Sequence, residues 1–209
     1  MVGFQERRKG LGLSQATLAR DAGISRTALS LIENGRLRPS ARTVQAIERG
    51  LDPFAHPALL VHGKGALEAA ALVREVGGTT GLSYAITLDV AAWVLTRYQT
   101  PAAAWAYVQP LDAWVSVLKR RGVRRARPRE RADLILLRGP EGVLRGAHVV
   151  EGLVLVDSRR LLEDCARLGG RRALDAARLF LTFPEARTPG LRLDADALLK
   201  VFEESIASP

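Results

Sequence analysis

The first fifty residues alternate apolar and polar positions with the period of short helices. Leu18, Ala19 and Ala22 recur at three- and four-residue spacing, as do Ala28, Leu29 and Ile32, and then Val44, Ile47 and Leu51. Ser14, Ser25 and Ser40 stand just before these three runs, where a hydroxyl can accept from an orphan amide of the first helical turn. Gly23 and Asn34-Gly35 follow two of the runs, at positions where a chain leaving a helix turns left-handed. The pattern predicts a helix over about Gly3–Lys9 with Phe4 turned inward and Arg7, Arg8 and Lys9 facing solvent or phosphate. It predicts a second helix from Ser14 to about Ala22, a third over about residues 25–34, and a fourth from Ser40.

The later pattern is mixed. Gly50-Leu51-Asp52-Pro53 closes the first unit. Residues 53–65, with two prolines and two glycines, read as a linker with a short helix near Ala58–Val61. Ala66–Val76 reads as a helix with Leu67, Ala70, Ala71 and Leu72 on its apolar face, and Gly77-Gly78-Thr79-Thr80-Gly81 as the turn after it. Helices are expected at about Thr87–Tyr98 and Leu111–Arg120, and strands at Ala103–Val108, Asp133–Arg138, Ala147–Val150 and Leu153–Val156. Gly139-Pro140-Glu141-Gly142 reads as a turn and Glu151-Gly152 as a hairpin. Ser158 begins a helix to about Leu168, broken by Gly169-Gly170, and further helices are expected at Arg172–Phe183 and Asp194–Ala207. Trp93 and Trp114 read as packing residues. The fold class is α+β: residues 1–52 an all-α unit, residues 53–65 a linker, and residues 66–209 a mixed domain with a small, mainly antiparallel sheet flanked by helices.

Composition narrows the function. The 209 residues are 47% hydrophobic and 25% charged, which describes an ordinary globular chain. No run approaches the roughly 18 apolar residues of a bilayer span, and a single cysteine, Cys165, fits a reducing cytoplasm. The net charge of +9 is unevenly placed: residues 1–50 carry nine Arg/Lys against four Asp/Glu, and residues 119–131 carry eight against one. Two concentrated basic stretches point to a polyanionic partner.

The polar positions of the third helix carry the sharpest chemistry. Arg26, Thr27, Ser30 and Asn34 lie off its apolar face, and an arginine, hydroxyls and an amide near the front of a short helix can read base edges in a major groove. Together with Gln15 and Ser25 they are the base-reading candidates. Arg26 suits a bidentate contact to guanine. Gln15 either bonds a phosphate or braces the recognition helix. Arg36, Arg38, Ser40 and Arg42 are the candidates for backbone phosphate contacts, which position without selecting sequence.

Residues 3–51 resemble the lambda-repressor-like (XRE/Cro) helix-turn-helix family. The resemblance is carried by Leu13-Ser14-Gln15, Ala22-Gly23-Ile24-Ser25, Leu31-Ile32-Glu33-Asn34-Gly35 and Arg38-Pro39-Ser40. It implies double-stranded DNA as partner and two half-sites read by a homodimer. Residues 66–183 resemble the C-terminal domain of AbiEi-type regulators, the antitoxins of type IV toxin–antitoxin systems, through Ala132–Arg138, Gly146–Asp164, Gly169-Gly170 and Ala176-Ala177, with Tyr84–Thr87 and Ala91-Ala92-Trp93 upstream. That family begins with a winged helix-turn-helix instead. This resemblance implies a toxin protein partner of nucleotidyltransferase type.

The basic run of Lys119, Arg120, Arg121, Arg124, Arg125, Arg127, Arg129 and Arg131 reads either as a second phosphate contact or as a solvated or acidic-partner face. No local catalytic constellation is present. His148 lies in a strand-like run, His56 and His62 lack partners at metal-ligand spacing, and Asp194-Ala195-Asp196 reads as helix capping. No metal and no cofactor is expected, and no enzyme. The leading expectation is a cytoplasmic, sequence-specific DNA-binding regulator, most simply a repressor. Its rivals are an antitoxin that autoregulates its operon and a ligand-sensing regulator.

Overall fold

In the computed structural model the described residues are 3–97 and 100–168. The helices expected at Arg172–Phe183 and Asp194–Ala207, and the glycine pair at 169–170, lie outside them.

The first four helices are α1 (Phe4–Gly10), α2 (Gln15–Asp21), α3 (Arg26–Glu33) and α4 (Ala41–Gly50). All three expected serine caps form. Ser14, Ser25 and Ser40 accept from the amides of Thr17, Ala28 and Thr43 respectively, at 3.0 to 3.2 Å. Gly23 and Gly35 take left-handed conformations with φ of 65° and 69°, as a chain reversing after a helix requires. These helices enclose a core of their own, with Leu18, Leu29 and Ile47 wholly buried and Leu11, Leu13, Ile32 and Leu51 nearly so. Val44 is half-buried and Phe4 packs on the rim of this core.

The other described residues are built on one seven-stranded sheet of β1 (Ala58–Val61), β2 (Ser83–Thr87), β3 (Ala104–Gln109), β4 (Arg124–Arg125), β5 (Leu134–Arg138), β6 (His148–Val150) and β7 (Leu153–Leu155). Their order is β4-β1-β5-β3-β2-β7-β6. Four neighbouring pairs are antiparallel, and β3 with β5 and β2 with β7 are parallel. The sheet is thus mainly antiparallel, as expected, with two parallel pairs, and it is wider than the small one expected. Its helices are α5 (Ala66–Thr80), α6 (Leu88–Thr96), α7 (Leu111–Arg120), α8 (Glu141–Arg145) and α9 (Ser158–Leu168).

Three local expectations are corrected. Ala58–Val61 is a strand, not a short helix, and lies between β4 and β5, so the stretch read as linker contributes to the sheet. Helix α5 runs on through Gly77, Gly78, Thr79 and Thr80 to stop at Gly81, which is left-handed at φ 70°. Its buried face is Ala66, Ala69, Ala70, Val73 and Val76, while Leu67 is exposed. The face of small residues lets the helix lie close to the sheet, and a methyl group on Gly77 would sit 2.6 Å from the Tyr84 ring. The turn expected at 139–142 opens into α8.

One face of the sheet is covered by α5 and α7. Trp114 of α7 is fully buried, stands edge-on to Tyr84 with ring centres 6.0 Å apart, and donates its indole N–H to the Ser83 carbonyl at 3.1 Å. Trp93, the other expected packing residue, is half-buried, and the Arg97 guanidinium lies 4.1 Å from its ring centre. On the opposite face Asp164 of α9 accepts from the Tyr107 hydroxyl at 2.8 Å and the Thr87 hydroxyl at 2.7 Å, and Arg160 lies 2.9 Å from the same carboxylate. These groups are largely buried, so each needs the others' hydrogen bonds to offset desolvation. Burial pushes the Tyr107 phenol up, an effect the neighbouring Asp164 carboxylate adds to.

Among the described residues, two ion pairs join the halves. Arg138, at the end of β5, meets Asp21, at the end of α2, at 2.9 Å, and Arg167 of α9 pairs with Asp52. Among the described residues, no helix is long and apolar enough to cross a membrane.

Candidate nucleic-acid interface

The surface of interest is the outer side of α3. Leu29 and Ile32 anchor the helix inward, leaving Arg26, Thr27 and Asn34 exposed and Ser30 half-buried. The Ser25 hydroxyl is committed to the Ala28 amide, so its part is to start the helix and hold Arg26 and Thr27 at its front. Asn34 reaches back one turn, with its amide nitrogen 3.5 Å from the Ser30 hydroxyl. Arg36, Arg38 and Arg42 are exposed along the loop and the first turn of α4 and form no ion pair among the described residues. Ser40, like Ser25, spends its hydroxyl on a cap.

Beneath α3 lies an ion-pair cluster that sequence reading missed. Arg8, expected to face solvent, is only 7% exposed. Its guanidinium donates from Nε to Glu33 Oε1 at 2.7 Å, from Nη2 to Glu33 Oε2 at 3.1 Å, and from Nη1 to the Leu13 carbonyl at 2.7 Å. Gln15 donates to Glu33 Oε2 at 2.8 Å. The cluster therefore ties α1, the α1–α2 turn and the start of α2 to the last residue of α3. Of the two roles open to Gln15, the geometry shows the brace. Arg7 is likewise engaged, donating to both carboxylate oxygens of Glu48 at 2.7 and 2.6 Å. Lys9 is exposed, as expected. The signal for this cluster was one buried-face carboxylate, Glu33, inside an otherwise apolar helix end. Its partner is 25 residues away and so invisible to periodicity.

Burial alone would push the Glu33 carboxyl up. The hydrogen bonds from Arg8 and Gln15 and the Arg8 charge outweigh that and hold it below the ordinary glutamate value. Both side chains of the Arg8–Glu33 pair are enclosed, at 9% and 0% exposure, so the pair is a fixed internal part of the unit.

Residues 4–53 match the helix-turn-helix family model. The matched span is α1 to α4 with the residues that close them, and α2 and α3 lie consecutively within it. No curated protein matches the chain. The helix-turn-helix unit takes double-stranded DNA as its partner, and a DNA-binding regulator of transcription is the function it supports.

The second basic stretch lies elsewhere. Lys119 and Arg120 end α7 and Arg121 follows as its cap, Arg124 and Arg125 form β4 at the outer edge of the sheet, Arg127 and Arg129 lie in the next turn and Arg131 just after it; all eight are exposed. Arg121 pairs with Glu75 at 2.6 Å, and Arg124 donates to Glu130 through both terminal nitrogens, one at 2.7 Å. Lys119, Arg120, Arg125, Arg127, Arg129 and Arg131 form no ion pair among the described residues.

No group of three or more His, Cys, Asp or Glu stands together among the described residues. Asp133 accepts from the amides of His62, Gly63 and Gly65 at 2.7, 2.7 and 3.3 Å and fixes the entry into α5.

Proposed function

We propose that the chain is a sequence-specific regulator, a repressor rather than an enzyme, that binds its operator as a homodimer by inserting α3 into the major groove. The observation that carries this reading is the front of α3. Arg26 and Thr27 stand exposed on a helix whose start is capped by Ser25 and whose end is bolted to α1 and α2 through Glu33. A recognition surface held this way loses little conformational freedom on docking. Arg26 then reads guanine through its two-donor fork, with Thr27, Ser30 and Asn34 contacting neighbouring bases. Arg36, Arg38 and Arg42 lie along phosphates and set the register.

One helix-turn-helix unit covers little DNA, and specific affinity from such a unit comes from two half-sites. Mapping the chain's genomic binding sites tests the reading. Paired half-sites with centres separated by about one helical turn, roughly 34–36 Å, are expected. Scattered binding without a shared motif would reject it.

A second reading, an antitoxin, draws its support from the second domain. It is supported by the resemblance of residues 66–183 to the AbiEi-type regulators, a span whose described part includes β5, the β6–β7 hairpin and the α9 helix beginning at Ser158. Co-expression with a nucleotidyltransferase-like toxin encoded beside the gene separates the two, since a plain repressor does not restore growth.

A further inference from the structure

We propose that the turn Arg127–Pro128–Arg129–Glu130 at the β4 edge is a built phosphate-binding element, with Glu130 as its positioning residue, and that its partner is the backbone of duplex DNA. The proposal rests on the DNA-binding reading of the first domain and adds a second contact outside it.

The turn is constructed in a way that a merely solvated charged loop is not. The Glu130 amide donates to the Arg127 carbonyl at 3.0 Å, closing the turn. The Glu130 carboxylate accepts from the Arg127 amide at 2.8 Å and from both terminal nitrogens of Arg124. The single carboxylate of the run is thus consumed inside the turn. Arg129 is held left-handed at φ 68°, a conformation disfavoured for any residue bearing a Cβ, where glycine fits without strain. Strain of this kind persists where the surroundings over-determine it, and it collects at binding sites. Arg127, Arg129 and Arg131 are exposed around the turn, and none of the three forms an ion pair among the described residues.

Edge protection accounts for part of the charge, because arginines on an outer strand discourage pairing with another sheet. That explains Arg124 and Arg125. It does not explain the three further arginines beyond the strand, Arg127 and Arg129 in the turn and Arg131 just after it. Among polyanions, the DNA backbone is favoured by proximity and by chemistry. Ala126, leading into the turn, donates to the Leu59 carbonyl at 2.9 Å. Leu59 follows the end of α4 by so few residues that even a fully extended chain puts it within about 30 Å. That is less than one turn of duplex. A guanidinium fork matches phosphate geometry, and a second contact tethered this closely acts at high effective concentration.

The test uses the full chain and two duplexes, one bearing the mapped operator and one of random sequence, titrated across a range of salt. Replacing Arg125, Arg127 and Arg129 with Gln should weaken binding to both duplexes by the same factor. It should also flatten the slope of log K against log salt by about 0.9 for each phosphate no longer neutralised. Arg129→Gly removes one cation while relieving the backbone, so it should fold at least as well as the parent and still lower the slope by about one. Glu130→Gln raises the net charge by one, and a patch acting through charge alone would then bind more tightly. Disorganising the turn should instead weaken binding several-fold on both duplexes. An unchanged slope in the triple variant overturns the proposal and leaves the edge to an acidic protein partner. Tighter binding by Glu130→Gln overturns the positioning role. Failure of the first-domain reading shows separately, as equal affinity of the parent chain for the two duplexes.

Discussion

Arg138 donates from Nη1 to Oδ2 of Asp21 at 2.9 Å, joining the end of β5 to the end of α2 across 117 positions of sequence. The two side chains are only 13% and 9% exposed. Helix α2, the one before α3, is thereby fixed to the sheet by an ion pair largely withdrawn from water. Removing one member of a buried pair leaves the other charge uncompensated, and such breaks cost about 3–5 kcal/mol. Asp21→Ala should therefore lower the urea midpoint of the full chain. It should also split one unfolding transition into two, as the helical unit and the sheet unfold separately. A single unshifted transition would show that the bridge does not couple them.

Arg8 and Arg26 make an internal comparison within the helix-turn-helix unit. Arg8→Ala strands the enclosed Glu33 carboxylate and removes the bond to Leu13, so a loss of about 3–5 kcal/mol is expected in chemical denaturation. Arg26→Ala touches an exposed side chain and should stay within about 0.5 kcal/mol of the parent. Equal effects on stability would mean that the cluster does not hold the unit together.

The same cluster sets a pH dependence. Glu33 is held below its ordinary value in the folded chain. Its ionised form therefore contributes stability that is fully present above the unfolded glutamate pKa and is lost as pH falls through the lower folded one. Thermal unfolding followed by circular dichroism should show the helical unit weakening below about pH 4, and Glu33→Gln should flatten that limb. A limb of undiminished steepness in Glu33→Gln would assign the acid sensitivity to other carboxylates.

Adjacent glycines near the end of α5 should respond oppositely to alanine. At Gly78 nothing lies within 4 Å of the added methyl, so Gly78→Ala should gain up to about 1 kcal/mol from helix propensity. At Gly77 the methyl meets the Tyr84 ring at 2.6 Å, and the overpacking should cost about 1–3 kcal/mol, exceeding that gain. Stabilisation at both positions would contradict the close approach of α5 to β2.

These elements differ in how far the sequence revealed them. The helix-turn-helix unit was legible because its signals are local: three serines cap, Gly23 and Gly35 turn the chain, and apolar residues recur every three or four positions. β1 was not legible. It is a four-residue apolar run flanked by a proline and a histidine–glycine pair, and the strands that make it a strand, β4 and β5, come more than sixty residues later. Gly77-Gly78 reads as a break in isolation, yet α5 runs through it, and the Tyr84 ring fills the space that a side chain on Gly77 would take. Within the candidate site, Arg26, Thr27, Arg36, Arg38 and Arg42 stand exposed where their polarity placed them. Arg8 and Gln15 turned inward because Glu33, remote in sequence, gave each a buried partner.

Base reading by α3 stands above all on Arg26. Titrating the parent chain and Arg26→Ala against the operator and against random duplex at fixed salt measures it directly. The predicted result is a loss of about 1–3 kcal/mol on the operator with little change on random DNA, so that discrimination collapses. Undiminished preference for the operator in Arg26→Ala would contradict it.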